Sequence, residues 1–304
     1  MRPPSAPWEN WTIGNEPHEE TPMDDAIRFL ETEHLTPDTH VIRLLYGEGI
    51  NPVAVHLNSM VITGDEPVVV DTSAGRVSEQ WFEKVFELVE PEDIRWIFLS
   101  HDDHDHTGNL VELLDRAPQA TLVGTWFMVE RLVSDFDLPL ARMRWVNDGE
   151  SFHAGRRELV AVTPPIFDSP VTRGLWDPTS GVYWAADAFA APVTHEVRTI
   201  DELDPGFYRK GFLQFQRLVS PWHLWLDPAK YQPHLDRIRD LGARSVANAH
   251  GPALHGGQIA SGLELMRELP YLPAAPLPGQ AELEAIMAAV TAPAEAATPM
   301  AKAA

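Results

Sequence analysis

The sequence predicts an α/β protein with mixed sheets. Short apolar runs alternate with stretches of helical spacing, and some of those runs are joined by tight turns as in hairpins. A third observation says where the function sits. The apolar run 96–99 is followed, after Ser100, by His101, Asp102, Asp103, His104, Asp105 and His106.

Taken in order, residues 1–36 read as an irregular N-terminal arm, rich in Pro and Glu, with Trp8 and Trp11 as packing points. Residues 39–46 alternate enough to be a strand. Residues 53–63 and 68–71 form a hairpin whose turn carries Gly64 and Pro67. Residues 77–89 have helical spacing through Trp81, Val85, Phe86 and Val89, and Pro91 ends the helix. The apolar run and its His/Asp loop follow, and a helix begins at Leu110. Strands are expected at 120–124, 158–163, 181–186 and 245–250, with a helix starting at Trp126. Residues 196–240 read as helical, with Phe207, Tyr208, Phe212, Phe215, Trp222 and Trp225 forming either core, a pocket wall or an oligomer interface. From Pro270 the chain turns Pro/Ala-rich, and residues 271–304 are expected to be a mobile tail holding one short helix.

Composition narrows the chemistry. The chain has 304 residues, 44% of them hydrophobic, enough for one large domain or two small ones. With 0 Cys, disulfides, thiolate zinc sites, iron–sulfur ligation and cysteine nucleophiles are excluded. A net charge of −22 argues against nucleic acid and anionic membrane as partners. No apolar leader and no run long enough to span a bilayer are visible, so a cytoplasmic protein is expected.

The His/Asp loop gains little from packing, and alternating imidazole and carboxylate suits divalent transition metals. Strand end, loop and helix start form a frame in which loop side chains can converge while rigid elements hold them. Which of the six residues bind is a matter of register that the loop alone leaves open.

Asp105-His106-Thr107-Gly108 resembles the Asp-His-x-Gly end of the metallo-β-lactamase superfamily signature, His-x-His-x-Asp-His. Laid back along the loop, that pattern puts His101 on the first His and Asp103 where the second His stands. A carboxylate there resembles the flavodiiron proteins and their stand-alone relatives, the oxygen-binding diiron proteins, which carry His-x-Glu-x-Asp-His. Here the side chain is one methylene shorter. The resemblance spans about residues 37–265. It implies an αβ/βα sandwich of two mixed sheets, a dinuclear metal domain over 37–270, and metals at one edge of the sheets.

The resemblance also implies the remaining shell. His250, in Ala-His-Gly-Pro, is similar to the family's terminal His-Gly ligand, and Asp187 to its bridging Asp. The slot after a Thr-Pro strand end is normally His. Asp168-Ser-Pro stands where the diiron relatives have His-Ser-Pro, so Asp168 is the candidate, with His153 and His195 as fallbacks. One metal is then expected on His101, Asp103 and Asp168, the other on Asp105, His106 and His250, with Asp187 between them. Asp105 is also the candidate catalytic residue. His104 falls between ligand positions and is expected behind the shell or exposed. Asp71 is similar to an Asp that steadies the metal loop from behind. So many carboxylates favour two iron ions, or manganese, over zinc.

What this implies is a non-haem diiron protein that binds and reduces O2 or NO. No flavin domain and no Gly-rich phosphate loop are visible, so electrons are expected from a separate donor. The alternatives are a dinuclear hydrolase of an ester, lactone, thioester or phosphodiester, in which Asp105 orients a hydroxide, and a diiron oxygenase. The expected partners are O2 or another small molecule, an external electron donor and a second copy of the chain.

Overall fold

Consecutive Val residues at Val68–Val70 and the apolar Trp96–Phe98 and Thr121–Gly124 suit strands covered on both faces. A computed structural model, which describes residues 26–51 and 53–291, places them at the centre of a seven-stranded sheet. The order is Met143–Trp145, Thr121–Gly124, Trp96–Phe98, Val68–Val70, Ser59–Ile62, Thr39–Ile42 and Glu33–Thr36. The first four run parallel, and the other pairings are antiparallel. A six-stranded sheet faces it, in the order Ser151–Ala154, Arg157–Val162, Gly174–Asp177, Val182–Trp184, Ser245–Ala247 and Leu254–His255. Its one parallel step, Val182–Trp184 to Ser245–Ala247, is crossed by the helices Pro205–Val219 and Pro228–Asp240.

Strand alternation sorts the core into three layers. Val41, Met60, Val70 and Phe98 of the first sheet meet Phe152, Leu175, Trp184 and Ala247 of the second. The outer face of the first sheet, with Ile42, Val61, Val69 and Ile97, is covered by Trp81, Phe82, Leu110 and Leu113 from helices Ser78–Phe86 and Leu110–Arg116. The outer face of the second, with Tyr183 and Val246, is covered by Phe212, Leu235 and Ile259. Helix, sheet, sheet, helix is the αβ/βα sandwich expected.

Several elements differ from the expectation. The supposed arm holds two strands, Ile27–Phe29 and Glu33–Thr36. At three and four residues they are too short for an apolar pattern to register, and they exist because partners exist: Ile27 pairs with Tyr46, and Glu33 with Val41. Trp8 and Trp11 lie outside the described residues. The run 39–46 is two strands, Thr39–Ile42 and Leu44–Tyr46, that enter different sheets on either side of the buried Arg43. The hairpin's first arm likewise divides into Val55–His56 and Ser59–Ile62. The helical stretch begins at Pro205 rather than 196 and is interrupted at Pro221 and again at Pro228. In the tail, a helix spans Gln280–Thr291, and residues 292–304 lie outside the described residues.

Candidate metal centre

The strand ends at Phe98, Val162, Trp184 and Ala247 all point to one edge of the sandwich, and loops leaving them carry the candidate ligands, while the loop leaving Val70 carries Asp71. Beyond Phe98, His101 comes first. Asp103 then stands at the N-terminus of the short helix His104–Thr107, whose last residue turns its hydroxyl back to donate to the Asp103 carbonyl at 2.9 Å. That one turn sets which way each side chain of the loop faces. His101 and His106 are buried and Asp105 is half-buried, whereas His104 turns outward and is exposed.

The seven candidates form two clusters joined by Asp187. His101 Nε2 lies 3.8 Å from Asp103 Oδ2 and 3.3 Å from Asp168 Oδ2. His250 Nε2 lies 3.4 Å from Asp105 Oδ2, and His106 Nε2 lies 3.7 Å from the same oxygen. Asp187 turns Oδ2 to His101 at 3.8 Å and Oδ1 to His106 and His250 at 3.2 and 3.3 Å. Within each of the triads His101–Asp103–Asp168, Asp105–His106–His250 and His101–His106–Asp187, the facing atoms lie within 4.8 Å of one another. Groups about 2.0–2.2 Å from a shared cation sit at such separations. His153 and His195, the fallback residues, are exposed and belong to none of these clusters.

A network behind the shell sets the tautomers. Asp71 is fully buried, and its carboxylate accepts the Ser100 amide at 2.7 Å, the Ser100 hydroxyl at 2.7 Å, His106 Nδ1 at 3.0 Å and the Trp184 indole N–H at 3.0 Å. With its hydrogen committed to Asp71, the Ser100 hydroxyl accepts from His101 Nδ1 at 3.1 Å. His250 Nδ1 donates to the His56 carbonyl at 2.9 Å. Each imidazole therefore carries its outward proton on Nδ1 and turns Nε2 inward, the arrangement of metal-binding histidines. Of these supporting groups, sequence reasoning reached Asp71 alone. Ser100 sits in plain view at a strand end, Trp184 reads as core, and His56 acts through its backbone, which no side chain reports.

Backbone strain gathers at the same place. Among the described non-glycine residues, Asp71, Ser73, Ala186 and Phe189 have positive φ, at 58°, 54°, 51° and 66°. Asp71 is the hub of the network and Ser73 lies two residues on; Ala186 and Phe189 stand on either side of Asp187. Each such conformation costs about 1–3 kcal/mol and persists where surrounding structure imposes it. The loop 71–75 is pressed onto the ligand loop: Thr72 N and its hydroxyl both donate to the His106 carbonyl, at 2.7 and 2.9 Å, and Gly108 N donates to Ser73 O at 2.9 Å.

Electrostatically the shell asks for cations. His101 Nε2, His106 Nε2 and Asp187 Oδ1 are buried and make no hydrogen bond, which is costly unless an ion or proton satisfies them. Burial opposes a proton on His250, but Asp187 and Asp105 outweigh it and hold the imidazole at about 9. His106 is raised well above the ordinary imidazole value: burial resists, and Asp71, Asp105 and Asp187 prevail. His101 ends above its ordinary value as well, with Asp187 and Asp168 overcoming burial and the neighbouring His106. Asp187 goes the other way, far below the ordinary carboxylate range, because His250, His101 and His106 outweigh its burial. Without metal, protonated imidazoles serve as the counter-ions. The donor set fits a pair of cations that would take over that role.

Aromatic rings border the centre. Phe215 lies 5.5 Å from the His250 ring, and Phe167, beside Asp168, packs on Trp222 at 5.7 Å. Phe212, from the same aromatic-rich segment, is instead fully buried in the outer core.

Comparison with known proteins agrees with this architecture. The chain is 27% identical over 236 residues to a putative diflavin flavoprotein A 2 of Nostoc sp., covering 74% of this chain and 39% of that protein. It is 30% identical over 201 residues to the type A flavoprotein fprA of Rhodobacter capsulatus, covering 65% of this chain and 45% of that protein. It thus spans less than half of these curated relatives. Among solved structures, the flavodiiron protein of Giardia intestinalis superposes with a TM-score of 0.68 at 18% identity, over 80% of this chain and 60% of that one. A fragment of the putative diflavin flavoprotein A 5 of Nostoc sp. is covered in full, over 81% of this chain, with a TM-score of 0.63 at 18% identity. The family model described as ODP family beta lactamase matches residues 55–251. The chain therefore belongs to the ODP family of β-lactamase-fold proteins, and it corresponds to the metallo-β-lactamase-like part of flavodiiron proteins.

Proposed function

We propose that this chain is a dinuclear iron protein that binds O2 or NO and reduces it with electrons from a separate donor. The observation that carries the reading is the pair of triads joined through the two oxygens of Asp187, with carboxylates at Asp103 and Asp168. Similar proteins include one named rubredoxin oxygen:oxidoreductase, from Desulfovibrio gigas, and one named anaerobic nitric oxide reductase flavorubredoxin, from Vibrio vulnificus. When bound, two iron ions supply reducing electrons and open coordination positions for a diatomic ligand.

The protein's own groups have separate tasks in this reading. His101, Asp103 and Asp168 hold one ion; Asp105, His106 and His250 hold the other; Asp187 spans both. Asp71, Ser100 and the His56 carbonyl keep the imidazoles aimed inward. Asp103 and Asp105 have the most exposed carboxylates of the shell, at 54% and 29%, and mark the side where a small ligand and protons enter. Asp105 takes the catalytic role, because it meets both His106 and His250 and still reaches solvent. Carboxylate oxygens mixed with imidazole favour iron or manganese over zinc.

The test is the metal content of protein purified without added metal, followed by anaerobic reduction and exposure to O2 or NO. About two irons per chain and uptake of the gas are expected. Stoichiometric zinc with turnover of an ester or phosphodiester, and no gas uptake after reduction, would overturn the reading in favour of a hydrolase.

A further inference from the structure

Trp184 lies in the strand Val182–Trp184 and is fully buried in the layer between the two sheets. An indole has one polar atom, a donor, and here it is given to Asp71 Oδ2 at 3.0 Å. The other three donors on Asp71 come from Ser100 and His106, on the same side of the sandwich as Asp71 itself. Trp184 alone among those donors reaches Asp71 from the opposite sheet. Three residues further along the same chain stands Asp187, whose two oxygens must face imidazoles of the first sheet. The strand backbone at Trp184 is closely approached: a Cβ on the neighbouring Gly174 would come within 2.5 Å of the Trp184 carbonyl oxygen. The residue between Trp184 and Asp187 that bends the chain inward, Ala186, does so at a φ of 51°.

We propose that the Trp184 indole N–H is a positioning group for the metal centre. It fixes the Asp71 carboxylate against His106 Nδ1, and it holds the sheet carrying Asp187 in register with the sheet carrying His101 and His106. The inference rests on the metal-binding reading above. Asp71 has one oxygen for three donors, so the indole decides how the carboxylate is turned, and the carboxylate decides where His106 aims. A buried indole that merely needs an acceptor would fill space equally well, but its loss would not be felt at one metal and spared at the other.

The test uses the full chain, stripped of metal and titrated anaerobically with Fe(II) alone. Two replacements are compared. Trp184→Phe removes the N–H with some bulk; β-(3-benzothienyl)alanine at position 184 removes the N–H and keeps the ring volume. Circular dichroism checks the fold. Both are expected to weaken one of the two iron equivalents by about 10- to 100-fold, the range for partners behind a metal ligand, and the other equivalent by less. Asp71→Asn should give a loss of the same kind, and adding Trp184→Phe to it should change little further. Wild-type affinity for both equivalents in the benzothienyl protein would overturn the proposal, as would a full additional loss on top of Asp71→Asn. Failure of the unaltered chain to take up any Fe(II) would instead remove the metal reading itself, and this inference with it.

Discussion

Asp71, His250 and Asp168 show how single side chains decide this site. The two carboxylates sit in different settings: Asp71 is closed off and given donors on every side, whereas Asp168 keeps 17% of its side chain exposed and is steadied by the Thr172 hydroxyl at 3.1 Å. Replacing Asp168 with Ala should remove most of one metal equivalent and leave the Asp105–His106–His250 position loaded; metal analysis that finds both equivalents intact would show that Asp168 is no ligand. His250 gives a pH dependence with a definite sign. Its imidazole is held at about 9 in the folded, metal-free chain, against an ordinary value near 6.5. The stability it contributes is complete below about 6.5 and gone above about 9. Metal-free protein should therefore lose up to about 3 kcal/mol of stability as pH rises through that window. Protein loaded with metal, whose imidazoles carry no second proton, should hold its midpoint over the same range. Denaturant titrations at pH 6, 7.5 and about 9.5 measure this, and metal uptake near pH 7 should release protons. A metal-free midpoint that does not move would contradict the assigned charge state.

At the scale of elements, the ligand loop depends on a close approach of two backbones. A Cβ on Gly108 would meet Gly75 N at 2.1 Å and Ser73 O at 2.7 Å, both backbone atoms that cannot swing aside. Gly108→Ala should push the short helix His104–Thr107 off the loop 71–75, costing about 1–3 kcal/mol as an overpacked site does, and loosening the His106 side of the centre. Thermal melts and metal content read both effects; an unchanged melt with full metal would mean the loop stands without that contact. This scale is also where sequence reasoning was weakest. The ligand strand was legible because four apolar residues gave way, after Ser100, to six His and Asp residues. The strands Ile27–Phe29 and Glu33–Thr36 were not, because edge strands borrow their stability from partners and need no apolar pattern of their own. The break at Arg43 was equally hidden. Arg43 is buried and donates to the Val197 carbonyl at 2.7 Å, a partner far away in sequence that pulls one apolar run into two sheets.

Over the whole molecule, the candidate ligands come from both halves of the sandwich, so any cation bound there ties the halves together. Ligand binding to the folded state alone stabilises by about 2.7 kcal/mol when the free ligand is a hundredfold above its dissociation constant. Chelation should accordingly lower the melting midpoint by roughly 5 °C or more. The Asp168→Ala protein should show a smaller drop, and equal midpoints with and without chelator would mean the halves are not bridged. The residues of the chain, by order and chemistry, determined that strands alternate with helices, that one loop is dense in imidazole and carboxylate, and that Asp168, Asp187 and His250 stand at strand ends. Those are local facts, set by apolar periodicity and by which side chains ligate. The resemblance already led to the expectation that His104 stands off the shell and Asp187 between two triads; only the tertiary structure decided that the His56 carbonyl holds His250 Nδ1 and that Asp71 is shared by donors from two sheets. Those two contacts depend on packing separate sheets against one another, and contacts between residues more than a hundred positions apart leave no pattern in the order of the chain.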